Sequence, residues 1–250
     1  MQIGDLEQIF ALHPEVDVLA KELSKKCKKH FLLRNLFASS RSIILHSLHQ
    51  RLAATQHARP IVVVLDNADD AQYMYADMRT LSGDQGVYFF PSSHRRRQQT
   101  DEAMLVQRTE VLSTLLGAQQ AHSPIIVTYP EALMEPVPMP QTLQKKTIHI
   151  HTEQEIAQSA LIKQLVELNF HRVDFVYEPG QFAVRGGILD VYGYAHDNPY
   201  RIDFFGDEID SIREFDIETQ LSKMRLTSAD IVGTNTQEET TEITSYLSAI

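Results

Sequence analysis

Residues Ile61 to Leu65 read Ile-Val-Val-Val-Leu, an unbroken apolar, β-branched run with no polar alternation. Such a run fits a strand covered on both faces, and strands so covered belong to parallel sheets whose neighbours are joined by helical crossovers. The flanking sequence supplies the crossovers. Ser40–Gln56 and Ala68–Leu81 have helical spacing, Val87–Phe90 is a second strand, Asp101–Leu116 a long helix and Ile125–Thr128 a further strand. His30–Leu36 reads as a short strand ahead of them, so four βα units of a doubly wound domain are expected. Upstream, Val16, Val18, Leu19 and Leu23 predict a helix over Glu15–Lys29, with Pro14 suited to its first turn.

Glu135–Pro140 packs three prolines into six residues, which neither a helix interior nor a central strand tolerates, and a domain boundary is placed there. Beyond it one helix, Thr152–Leu168, precedes strand candidates at Arg172–Tyr177, Phe182–Arg185, Ile188–Tyr192, Tyr200–Phe205 and Glu208–Phe215. Gaps this short permit hairpins and not helical crossovers, so a smaller, antiparallel α+β domain is expected. Residues 1–136 are assigned to the first domain, 137–215 to the second and 216–250 to a segment returning to the first. The Thr/Ser/Glu-rich stretch after Thr219 ends on Tyr-Leu-Ser-Ala-Ile and reads as cut from a longer chain.

Composition narrows the function classes. No apolar run approaches the roughly 18 residues a membrane helix needs. Asp5, Glu7, Glu15 and Asp17 stand where a secretion signal would be basic, so the chain is read as cytoplasmic with no membrane partner. The single Cys27 forms no internal disulfide and no thiolate zinc cluster. A formal net charge of -10 opposes non-specific grip on nucleic acid, whose affinity comes largely from Lys and Arg neutralising phosphates. The charge is uneven: residues 1–60 hold nine Lys/Arg against five Asp/Glu, and residues 171–250 hold six against fifteen.

In a doubly wound sheet the first strand-to-helix turn is the place for a phosphate loop, and here it reads Asn35-Leu36-Phe37-Ala38-Ser39-Ser40-Arg41-Ser42. Against G-x-x-x-x-G-K-[ST] only Ser42 agrees. Asn35 and Ser40 occupy the glycine positions, where a Cβ crowds a backbone that must wrap an anion, and Arg41 replaces the phosphate lysine. His149 and His151 alternate on a strand with no carboxylate or cysteine at ligand spacing, so no metal site is assigned. Cys27, among Lys25, Lys26, Lys28 and Lys29, receives no role. Arg95-Arg96-Arg97 fits either a phosphate contact or a solvated loop tip.

In Tyr200-Arg201-Ile202-Asp203-Phe204-Phe205, strand alternation puts Ile202 and Phe204 on one face and Arg201, Asp203 and Phe205 on the other. Arg185 closes the strand before Gly186-Gly187, a pair that permits a tight bend or bulge. Exposed Arg and aromatic side chains are the types enriched at interface hot spots. The rival account is a two-sided core completed by Phe205, with both arginines paired to nearby acids. Periodicity leaves the two open.

The run from Tyr177 to Tyr192 (YEPGQFAVRGGILDVY), then Tyr200 to Asp216 (YRIDFFGDEIDSIREFD) and Glu218-Thr219-Gln220, resembles a module shared by UvrB-type excision-repair proteins and the transcription-repair coupling factors. The likeness extends weakly to Pro60–Leu65, Phe90-Pro91, Gln107–Leu116 and Pro124–Leu133, covering residues from about 30 to 230. The resemblance implies a P-loop-like first domain with a decayed phosphate loop at Asn35, Ser40, Arg41 and Ser42. That decay, and the absence of a long tyrosine-rich hairpin, point to the coupling-factor side. There the module docks on UvrA through two arginines and a phenylalanine, which match Arg185, Arg201 and Phe205. The resemblance thus favours the hot-spot reading. It implies a non-catalytic, cofactor-free recruiter belonging to a longer DNA-translocating ATPase, whose contacts with RNA polymerase and double-stranded DNA lie in other domains. The alternatives are a UvrB-type ATP-dependent DNA-damage-processing subunit and a free-standing UvrA-binding adaptor.

Overall fold

The computed structural model describes residues 13–25, 30–53, 60–83, 85–93, 102–117, 123–196, 198–233 and 240–247. The chain divides into two units: residues 1–92, 114–135 and 247–250 form the first, and 93–113 and 136–246 the second.

In the first unit, α1 (Pro14–Leu23) starts on a proline whose missing N–H costs nothing there, and buries Val16, Leu19 and Ala20. It ends at Leu23, earlier than the expected Lys29, of which residues 26–29 lie outside the described set. Helix α2 (Ser40–Ala53) packs Leu48 against Leu19 and Ala20. Strand β1 (Ile61–Val64) leads to α3 (Ala68–Ser82), capped by the Asn67 side chain accepting the Asp70 N–H at 2.9 Å and closed by left-handed Gly83. Then follow β2 (Val87–Phe90), α4 (Glu102–Gly117), which spans the point where the chain divides, β3 (Ile125–Thr128) and the short α5 (Pro130–Met134).

The three strands form a parallel sheet in the order β1-β3-β2, with Ile125 facing both Ile61 and Val87. The first unit is thus α/β, but the expected four βα units reduce to three strands among the described residues. The run His30–Leu36 is not a strand: it pairs with no described strand, and Phe31, Leu32 and Leu33 are exposed. An apolar run becomes a strand only where a partner ladder and a covering layer exist. Asn35 within the run and Ala38 just past it, at φ 62° and 47°, break the extended path.

The second unit begins its continuous part with β4 (Val137–Pro138), α6 (Pro140–Lys145) and β5 (Thr147–His151). Helix α7 (Gln158–Glu167) starts six residues later than the sequence reading placed it. Next come β6 (His171–Arg172), β7 (Gln181–Arg185), β8 (Ile188–Val191), β9 (Tyr200–Phe205), β10 (Glu208–Phe215) and β11 (Ser222–Leu226). Strands β12 (Ser228–Val232) and β13 (Thr240–Thr241) and helix α8 (Thr244–Leu247) complete it, the last residue falling to the first unit.

Strands β11-β10-β9-β8-β7-β6 form one sheet in that order. It is antiparallel as expected, except that β6 pairs parallel to β7, and of the expected strand Arg172–Tyr177 only Arg172 joins it, together with His171 before it. Leu161 and Leu165 of α7 pack on one face with Phe182, Leu189, Ile202 and Ile212. The opposite face carries a smaller cluster of Val176, Ala183, Tyr192 and Phe215.

Residues 216–246 do not return to the first unit. β11 extends the large sheet, β12 pairs with β5 and β13 with β4, so this stretch enlarges the second unit. The physical reason is visible in β12, whose Ala229 and Ile231 alternate inward opposite Ile150 and Ile148.

Candidate functional site

Two glycine turns set the geometry. Gly186-Gly187 joins β7 to β8 and Gly206-Asp207 joins β9 to β10, with Gly186 at φ 60° and Gly206 at φ 65°, the left-handed region such tight hairpin loops require. The Phe204 N–H donates to the Gly187 carbonyl at 2.8 Å, so the turns lie side by side at one end of the sheet. Ile202 and Phe204 point to the α7 side, and Arg201, Asp203 and Phe205 to the other. Phe205 is 84% exposed, so it completes no core.

The arginines are less free. Asp190 sits opposite Arg201 on β8 and is 1% exposed. It accepts from Arg201 Nε at 2.7 Å and Nη2 at 2.9 Å, a fork-to-fork pair, and also from Arg185 Nη2. Arg201 further donates from Nη1 to the Gln220 carbonyl at 3.1 Å, and its guanidinium lies 4.4 Å from the Phe215 ring centre. The hydrogen bond to Asp190, and then its charge, raise the Arg201 pKa above its already high ordinary value. With 15% of its side chain exposed, Arg201 is built into the fold. Arg185, with 39% exposed and its guanidinium 5.1 Å from the Phe175 ring centre, sits at the rim and can turn outward. The ion-pair half of the rival account therefore holds for both arginines, and the core half fails for Phe205.

Asp190 escaped the sequence reading. A signal was present: a lone acid between Leu189 and Val191 in an apolar strand must find a partner when buried. Asp203, one step along β9, accepts from Ser211 Oγ at 2.7 Å and from Arg213 Nη2.

In the first unit the segment Asn35–Ser42 follows no strand, so it is not the strand-to-helix turn the sequence suggested. Two of its amides are bonded within it, the Ser40 N–H to Phe37 O at 3.1 Å and the Arg41 N–H to Ala38 O at 3.4 Å, and the Ile43 N–H just beyond donates to Ser39 O at 3.0 Å. The Ser42 hydroxyl, buried, donates to Asp77 Oδ2 at 3.0 Å. Arg41 and Asn35 are exposed. His149 and His151 share the exposed face of β5, where the His149 ring lies 2.6 Å from Asp230 Oδ1 and the His151 ring 2.9 Å from the Thr152 carbonyl. Cys27 and Arg95-Arg96-Arg97 lie outside the described residues. No helix among the described residues is long and apolar enough to cross a membrane.

Residues 148–236 match the family described as the UvrB interaction domain, a span that contains Arg185, Asp190, Arg201 and Phe205. The chain is 30% identical over 203 residues to the transcription-repair-coupling factor of Bacillus subtilis, covering 81% of this chain and 17% of the relative. The chain is related to the N-terminal region of the transcription-repair coupling factors. The coupling factor of Mycobacterium bovis is 32% identical over 181 residues, 68% of this chain and 14% of the relative. That of Escherichia coli is 28% identical over 167 residues, 67% of this chain and again 14% of the relative. The chain thus spans less than a fifth of the length of these coupling factors.

Proposed function

We propose that this coupling-factor relative recruits and does not catalyse: its second unit docks on UvrA and so links excision repair to stalled transcription. The observation that carries this reading is Phe205, an aromatic ring left in solvent at the tip of a stiff hairpin inside the UvrB interaction domain, with Arg185 on the same sheet face. A desolvatable ring beside a guanidinium fork is the composition of an interface hot spot. Contacts of the whole coupling factor with RNA polymerase and double-stranded DNA are assigned to regions outside this chain.

The test is titration of the chain against purified UvrA. Arg185→Ala should weaken binding about tenfold, some 1.4 kcal/mol, by removing one charge-assisted contact. Melting should change little, because Arg201 still engages Asp190 through both oxygens. Absence of binding at tens of micromolar would overturn the proposal.

The first unit is read as a P-loop-like domain whose phosphate loop has decayed. The Ser40 and Arg41 amides are bonded to carbonyls of the same loop, and the hydroxyl that would meet a metal-nucleotide is bonded to Asp77. Isothermal titration with Mg-ATP should register no heat of binding. Micromolar affinity that disappears on Arg41→Ala would contradict this and restore a UvrB-type nucleotide site.

A further inference from the structure

The register of the large sheet places three arginines directly opposite one another on adjacent strands: Arg201 on β9, Arg213 on β10 and Arg225 on β11. Like charges in this relation destabilise a sheet, so the row calls for negative charge from somewhere. Within the fold it is incomplete. Arg201 shares Asp190 with Arg185, and Arg213 has Asp203 on one nitrogen while 29% of its side chain stays exposed. Arg225 is exposed and meets no carboxylate among the described residues, since Lys223 takes Asp216 at 2.9 Å. Four arginines thus face two aspartates, on a chain whose net charge is -10.

From this we infer that the docking face extends across the sheet to β11, where Arg213 and Arg225 receive a carboxylate-bearing segment of the same partner. The inference rests on the UvrA-docking reading and adds residues to it. Adjacent strands lie roughly 4.8 Å apart, so neighbouring guanidiniums on β10 and β11 can share one carboxylate or take two from successive acidic side chains. A protein surface fits better than a nucleic acid. The same face ends at Phe205 beside a hollow lined by Glu155, Asp207 and Glu208, whose carboxylates repel a phosphate backbone and tolerate an apolar or basic side chain.

The experiment is titration of UvrA with the chain carrying Arg225→Glu, with Phe205→Ala alongside and a melting curve for each. Arg225→Glu should weaken UvrA binding about tenfold or more and flatten its salt dependence, because a solvated charge pair becomes a like-charge contact. Its melting temperature should hold or rise slightly, since Arg225 is exposed and the new carboxylate would stand opposite Arg213. If Phe205→Ala weakens binding and Arg225→Glu does not, the extension to β11 is wrong while the docking reading stands. If neither variant weakens binding, both fall. If Arg225→Glu leaves UvrA binding intact but abolishes binding to a duplex DNA probe, the row serves a nucleic acid and the inference is overturned.

Discussion

Arg201→Ala should lower the melting temperature of the second unit by roughly 10 °C. Removing one partner of a buried ion pair costs about 3–5 kcal/mol, because the survivor remains in a low-dielectric site without compensation. Asp190 is that survivor, at 1% exposure, and it would lose both bonds of the Arg201 fork at once. Arg185 still reaches it, which places the expectation near the lower end, about 3 kcal/mol. For a chain of this size each kcal/mol moves melting by about 2–4 °C. The Gln220 carbonyl and the Phe215 ring would also lose their cation. Arg201→Lys keeps the charge but not the planar fork, and should recover only part of the loss. A melting curve unmoved by Arg201→Ala would show that Asp190 does not depend on this residue. Lost UvrA affinity in Arg201→Ala is therefore no proof of a contact until folding has been measured in the same sample.

Phe205→Ala should produce the opposite pattern, the largest loss of binding with none of stability. A ring exposed to 84% contributes little burial to the fold, and exposed substitutions typically stay within about 0.5 kcal/mol. On docking, the same ring can be fully desolvated, and truncation of a central aromatic anchor costs about 2 kcal/mol or more, roughly a thirtyfold loss of affinity. Calorimetric titration against UvrA, with thermal melting of the variant, separates the two quantities. Unchanged affinity with normal melting would remove Phe205 from the site. A collapsed melting temperature would mean that the ring supports the fold.

Much of this was legible in the sequence, and what was not has specific causes. Val87–Phe90, Ile125–Thr128, Tyr200–Phe205 and Glu208–Phe215 are bounded by glycine, proline or charge and form strands over the residues their composition marks. Phe31-Leu32-Leu33 carries a comparable apolar signal and is no strand, because pairing is a property of two segments and no described strand pairs with it. The stretch 216–246 was misassigned for the converse reason. Its strands have weak local signals and are fixed by distant partners, Ser228–Val232 by Thr147–His151 among them. At the site, alternation placed Arg201, Asp203 and Phe205 on one face correctly. It could not rank their freedom, which depends on Asp190, a residue of another strand.

The carboxylate shared by Arg185 and Arg201 also changes what docking means for the rim arginine. In the free chain Arg185 is already satisfied, so a partner's acid must compete with an internal one for the same guanidinium. The contact is then an exchange of anions more than a capture. An exchange adds less affinity than capture by a free guanidinium would, which holds the loss expected of Arg185→Ala to about tenfold. Its yield is discrimination: a surface without a well-placed carboxylate cannot displace Asp190, and the arginine stays folded inward against it. Selectivity would then reside in a residue the partner never touches.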